Sequence, residues 1–370
     1  MLTGNQLHKN YIPELDGLRG IAILLVITFH YFSDLLTVFS FGWSGVDLFF
    51  VLSGYLITSR LILTLGKPGY FLRFYKNRIL RIFPLYYATL IMFYFIIPHF
   101  IPPHYFESLV FYRNQAPSFF LFFENWTFIN HPGISQNHLQ VLWSLAVEEQ
   151  FYLIWPFFIY FFVNSKYLKT ILVVWLIVIV LFRSILYMNN PDNFYVFFYN
   201  TFCRMDAFII GATLFLIHKK ILKPVHSYIV VIAVLSMFAG IIIWKSNPAI
   251  SPFIPTIGLT CIAIFYALII HIAVQKKYCF FSNFLNLPWL IFIGRISYGL
   301  YIFHWIILRF SFEPLSNYIN IHFLTGRELS NFLTLFICLI LSFILSIISY
   351  TYYESFFLKL KRKRLPYLNF

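Results

Sequence analysis

Arg19 and His30 stand eleven residues apart in an otherwise apolar stretch. On an α-helix, eleven steps of about 100° return the second side chain to within about 20° of the first. The two therefore share one face, separated by about 16 Å along the axis. A cation at one end and an imidazole at the other suit a ligand that is anionic at one end and reacts at the other. The ordinary roles for such residues are a snorkelling arginine and a hydrogen-bonded packing histidine.

Other polar residues interrupt apolar runs in the same way, and an ionisable residue inside a membrane span marks a functional site by default. Asp47 lies in the run Gly45-Val46-Asp47-Leu48-Phe49-Phe50-Val51-Leu52-Ser53-Gly54-Tyr55. It is placed to orient His30 as a carboxylate orients a general base, or to be a helix N-terminal carboxylate favoured by the dipole. Ser53-Gly54 admits a neighbouring backbone or a ligand at close range. Glu148 and Glu149 are adjacent in Trp143-Ser144-Leu145-Ala146-Val147-Glu148-Glu149-Gln150. They face different sides of a helix, so at least one points inward, where burial suits a carboxyl to proton exchange. Arg78 and Arg81 form an i, i+3 pair able to grip phosphate, or serve as flanking charge. Tyr298 and His304 lie deep in a later apolar run, with His304 either a second reacting group or a bonded core histidine. Arg204 and Asp206 flank another span and read as a pair.

The elements that must position these residues are membrane helices. The chain of 370 residues is 60% hydrophobic and 11% charged, with 48 Phe and 26 Tyr, and its mean hydropathy is +0.78. No soluble core buries so much apolar surface. Spans of about 20 residues fit at 17–38, 43–64, 82–101, 139–163, 170–188, 201–217, 225–244, 255–274, 290–310 and 331–353. The first follows a polar segment and lacks a small-residue cleavage site, so it reads as a span and not as a leader. Basic residues crowd alternate loops, 65–81 above all, and the tail 356–370. By the positive-inside rule both termini are cytoplasmic. The same rule accounts for the net charge of +14 without nucleic acid. The fold class is all-α, an integral membrane bundle of about ten helices in one domain over 1–370. The Pro- and aromatic-rich segment 102–138 is expected to fold over the outer mouth. The four cysteines and the histidines show no metal-ligand spacing.

In series, these motifs resemble the acyltransferase-3 family of membrane O-acyltransferases. The matching pieces are Arg19 with His30, the Gly45–Ile57 run, Arg78 with Arg81 and Pro84, Trp143-Ser144-Leu145 with Glu148-Glu149-Gln150-Phe151-Tyr152, and Ser297-Tyr298 with Tyr301 and His304. They cover about residues 11–355. The resemblance implies a bundle that acylates hydroxyls, often acetylating cell-surface glycans such as O-antigen or exopolysaccharide, from cytoplasmic acetyl-CoA or another acyl-CoA. It implies His30 as the catalytic residue with Arg19 as its motif partner, and Arg78 and Arg81 at the donor. Asp47 and Glu148 are expected to orient His30 or relay its proton, Ser53 to sit at the donor, and Glu149, Tyr298 and His304 to support. The chain is similar to members without a fused extracytoplasmic domain. The expected location is the bacterial inner membrane, with lipid, acyl-CoA and a glycan acceptor, lipid-linked or free, as partners. One departure, Glu354-Ser355-Phe356 where many members carry Glu-Arg-Pro, is expected at the bundle's edge. Read from residues alone, the rival is a proton-coupled transporter or flippase using His30, Asp47 and Glu148 as a relay. A lipid or small-molecule acceptor is a further alternative.

Overall fold

The computed structural model describes residues 11–100, 106–132, 138–217, 252–275, 279–323 and 326–363. Among them there is no strand. Eight helical stretches are long and apolar enough to cross a membrane: Pro13–Phe32, Thr37–Thr64, Tyr70–His99, Leu168–Asn189, Tyr195–Ile217, Ile254–Gln275, Pro288–Phe323 and Arg327–Leu360. Each corresponds to an expected span. The expected span 139–163 is a helix, Leu142–Phe162, carrying the Glu148-Glu149-Gln150 run, and is not among the eight. The expected span 225–244 lies outside the described residues.

The chain forms two compact bodies. The first comprises 1–71 and 147–295. Its helices are α1 (Pro13–Phe32), α2 (Gly45–Thr64), most of Leu142–Phe162, Leu168–Asn189, Tyr195–Phe198, Thr201–Ile217, Leu259–Gln275 and Cys279–Leu285. Helices α2 and Thr201–Ile217 meet backbone to backbone. A Cβ on Gly54 would collide with the carbonyl of Phe208, and one on Gly211 with the carbonyl of Val51. Small residues permit this approach where no water drives helices together. Helix Leu168–Asn189 turns Val173, Val174, Ile177, Val178 and Leu181 outward. That stripe at helical spacing is a lipid face, and Arg183 on the same helix is wholly buried.

The second body comprises 72–146 and 296–370. Here α3 (Tyr70–Ile91) widens into a π-turn at Met92–Ile96. Three short helices follow: α4 (Phe106–Asn114), α5 (Ala116–Phe120) and α6 (Glu124–Asn130). They do not simply cap an end of the bundle. The turn between α5 and α6 packs on α3 at Phe83–Tyr87, with Phe122 stacked 4.2 Å from the Tyr86 ring and 5.3 Å from that of Phe83. Since the α3 span continues to His99, the segment re-enters by about 18–24 Å. Helix Arg327–Ile348 buries Ser330, Thr334, Cys338, Ser342 and Ser346, every fourth residue, as a small-residue seam. Gly299 lies against Ser346. The π-turn Ser349–Glu354 then tucks Glu354 inside, where it accepts from Ser349 at 3.0 Å. The residues that depart from the family pattern, Ser355 and Phe356, are half-buried and 58% exposed, at the edge as expected, while the shared Glu354 is buried.

Candidate active site

Helix α1 begins with Pro13 at its first turn and ends at Phe32. Arg19 thus sits near its start and His30 in its last turn, not at mid-span. The expected span ran on to residue 38, but the chain leaves the helix at Ser33 and makes a 3₁₀ stretch over Thr37–Ser44. The His30 ring lies 5.2 Å from that of Phe29. Arg19 bonds Asp16 at 3.3 Å, one turn earlier. Asp16 also takes the Tyr11 hydroxyl at 2.6 Å and lies 3.9 Å from Arg295. Arg19 is therefore held in a shared network, with Arg295 a member that its exposed position in the sequence motif did not reveal.

Ser53 and Glu148 come together. Ser53 donates to Glu148 Oε1 at 2.6 Å, and the Tyr152 hydroxyl donates to Ser53 at 3.1 Å. The chain of bonds ends on a half-buried carboxylate. Such an arrangement fixes the carboxylate's orientation. Gln150, two residues on, accepts from Thr201. Glu149 faces elsewhere and is also half-buried. Ser53 thus belongs with the carboxylate, while Gly54 beside it serves the α2 helix seam.

Asp47 is buried and bonds Arg204 at 2.8 Å. The guanidinium lies over Phe198 at 4.7 Å and over Phe50 at 5.5 Å. Asp206 is paired with Arg183 at 2.7 Å. Arg204 and Asp206 are two residues apart on one helix and so point about 200° apart. Each finds its partner on a different helix, which corrects the expected pairing between them. Arg183 makes five bonds: to the carbonyls of Pro255, Cys203 and Thr256, to Asp206 and to the Thr260 hydroxyl. They match the five N–H donors of a guanidinium. This residue went unread in the sequence, although a lone arginine in an apolar run was itself the signal.

In the second body, Arg78 is half-buried with its guanidinium 5.9 Å from the Phe74 ring. Arg81 faces the buried Glu354 electrostatically. Tyr298 donates to the carbonyl of Ile82 at 2.7 Å, beside Arg81. Tyr301 bonds Ser144, and both hydroxyls reach the Val141 carbonyl, so two distant motifs meet. His304 is wholly buried, and its Nδ1 is 2.8 Å from the Leu300 carbonyl. A carbonyl only accepts, so Nδ1 carries the proton and the residue supports the core. Glu124, also unread in the sequence, is wholly buried, and burial pushes its carboxyl well above the ordinary carboxylate range. Among the described residues no cluster of His, Cys, Asp or Glu could hold a metal ion.

Comparison with known proteins bears on all of this. The family model described as an acyltransferase domain matches residues 12–351. The peptidoglycan O-acetyltransferase OatA of Listeria monocytogenes is 31% identical over 325 residues, covering 81% of this chain and 50% of that protein. The O-acetyltransferase OatA of Staphylococcus aureus is 29% identical over 336 residues, covering 86% of this chain and 52% of that protein. The chain thus spans about half the length of these relatives. No solved structure matches it.

Proposed function

Because the chain belongs to this acyltransferase family, we propose that it is a membrane O-acetyltransferase that moves an acetyl group from cytoplasmic acyl-CoA to a hydroxyl of a cell-envelope glycan. The observation that carries the reading is the family match over residues 12–351, joined to relatives named for O-acetyl transfer. Their names favour peptidoglycan as the acceptor class over O-antigen or exopolysaccharide.

In this reading His30 takes the proton from the acceptor hydroxyl as it attacks the thioester carbonyl. The tetrahedral adduct collapses to the ester, and the thiolate leaves and is protonated. Glu148, oriented by Ser53, orients His30 or relays its proton. Asp47, fixed by Arg204, serves as an anchor for the start of α2. Arg78 and Arg81 bind the donor's phosphates, where guanidinium forks give bidentate contacts. Arg19 is the motif partner of His30. The bundle comprises about ten spans in one domain, with both termini cytoplasmic and the inner membrane as its location.

The test is His30→Ala in cells, followed by chemical analysis of glycan esters. General-base assistance is worth about 10²–10⁴-fold, so O-acetyl content should fall to background while the protein remains in the membrane. Unchanged ester content at normal expression would remove His30 from the mechanism.

A further inference from the structure

The re-entrant turn between α5 and α6 is held by an arrangement of hydroxyls and one carboxyl. The Tyr86 hydroxyl lies 2.7 Å from the Phe119 carbonyl and 3.0 Å from Glu124 Oε1. The adjacent Tyr87 hydroxyl donates to the Phe120 carbonyl at 2.9 Å. These carbonyls end a five-residue helix, and that of Phe119 also takes the Phe122 N–H at 3.4 Å. Between them and Glu124 the chain passes through Phe122, a non-glycine residue at φ 58°. That conformation is unfavourable for a bulky side chain and persists where packing over-determines it. Here the Phe122 ring is clamped on Tyr86 and Phe83.

The protons can be counted. Tyr86 has one hydroxyl hydrogen. Phe119's carbonyl can only accept, and it is the nearer acceptor. That one hydrogen is shared between two acceptors, and a proton on Oε1, donated to the phenol oxygen, lets both contacts be full hydrogen bonds. Glu124 Oε2 is buried with no hydrogen-bond partner, which a neutral acid tolerates far better than a carboxylate. The titratable groups of this cluster are Tyr86 on α3, with Tyr87 and Tyr298 beside it, and Tyr94 in the π-turn, which meets both Glu124 and Tyr112 of α4. His138 stacks on Phe310 and lies against Phe93, and the cation Arg309 acts on Tyr112.

We infer that Glu124 is a neutral carboxylic acid whose proton latches the re-entrant segment 106–130 to α3, making it a positioning residue for that segment. Ionisation would leave an unpaired charge deep in the bundle and remove the donor to Tyr86. The latch is therefore intact below the ordinary carboxylate range and is lost as pH rises through the raised value of the folded protein. The link between the latch and transfer rests on the acyltransferase reading; the protonation of Glu124 does not.

The test is infrared spectroscopy of the full chain in lipid at neutral pH, with Glu124→Gln and Tyr86→Phe beside wild type. The acid carbonyl band should disappear in Glu124→Gln and shift in Tyr86→Phe, which removes its acceptor. On alkaline titration the wild-type band should vanish. O-acetyl transfer should fall over the same pH range in wild type. In Glu124→Gln, whose amide keeps the donor, transfer at neutral pH should stay within about twofold of wild type and persist above that range. A spectrum unchanged in both variants would overturn the inference. So would an alkaline limb that Glu124→Gln leaves in place. If wild type transfers no acetyl group at all, the acyltransferase reading falls while the infrared arm still decides the state of Glu124.

Discussion

Asp47 and Glu124 are both acids buried to 1% or less in the first turn of a helix, yet the protein keeps them by opposite means. Asp47 in the first body takes a guanidinium from another helix at 2.8 Å, and the neighbouring Asp206 does the same with Arg183 at 2.7 Å. Glu124 in the second body has tyrosine hydroxyls and aromatic rings instead. A counter-charge fixes geometry while the acid is ionised. A retained proton fixes geometry only while the proton stays. The first body is thus braced by charge pairs, whereas the re-entrant segment of the second is braced by a proton.

The largest effect expected from this contrast is at Arg183. Arg183→Leu leaves Asp206 buried without its charge partner and should destabilise the protein by about 3–5 kcal/mol. Replacing both as Arg183→Met with Asp206→Leu should recover most of that loss, since a packed apolar pair avoids the desolvation cost. Glu124→Gln should cost less than about 1 kcal/mol, because a neutral group replaces a neutral group. Thermal unfolding of the three purified proteins in detergent measures all of this. Equal losses in Arg183→Leu and Glu124→Gln would break the comparison, since both acids would then be ionised.

A smaller effect separates the two helix seams. Gly54→Ala places a methyl group against the backbone carbonyl of Phe208, and overpacking of this kind costs about 1–3 kcal/mol. Gly299→Ala in the second body would meet Glu354 Oε1 at 3.2 Å and Ser346 Cα at 3.5 Å. The first neighbour is the end of a flexible side chain, so the cost should be below about 1 kcal/mol. Unfolding midpoints in that order would support a tighter seam in the first body; the reverse order would contradict it.

The same contrast explains what could be read from the residues. Composition and run length gave the helical membrane class, because lipid imposes a constraint that any 20-residue apolar run must obey. The eleven-residue spacing of Arg19 and His30 was legible because it lies within one helix. The partner of Asp47 was not, because Arg204 is 157 positions away and no periodicity links two helices. The end of α1 was not legible: the span was drawn to residue 38, whereas the helix stops at Phe32 and leaves His30 in its last turn. The re-entrant segment was illegible for a different reason. Its Leu121-Phe122-Phe123-Glu124 stretch has no helical stripe, and its path is set by Tyr86 and Tyr87, which look like any interfacial aromatics. Arg183 and Glu124 were visible as lone charges in apolar surroundings, and both proved to be buried.

Ser53 offers the finest distinction between bracing and chemistry. Its hydroxyl holds Glu148 at 2.6 Å and accepts from Tyr152 at 3.1 Å. Ser53→Ala removes both bonds at a site that is only partly buried, so the expected loss of stability is small, about 0.5–1.5 kcal/mol. If Glu148 merely braces the helices, as Asp206 does, transfer should follow stability and change little. If Glu148 must be oriented toward the reacting group, the rate should fall while KM for the acyl donor stays put, since the interaction matters in the transition state. Ser53→Thr keeps the hydroxyl and should restore the rate. We expect that second pattern, because the bond orients a half-exposed carboxylate, whereas the wholly buried pairs around Arg183 leave no atom for a substrate to reach. A Ser53→Ala protein with undiminished transfer would move Glu148 from the chemistry to the scaffold.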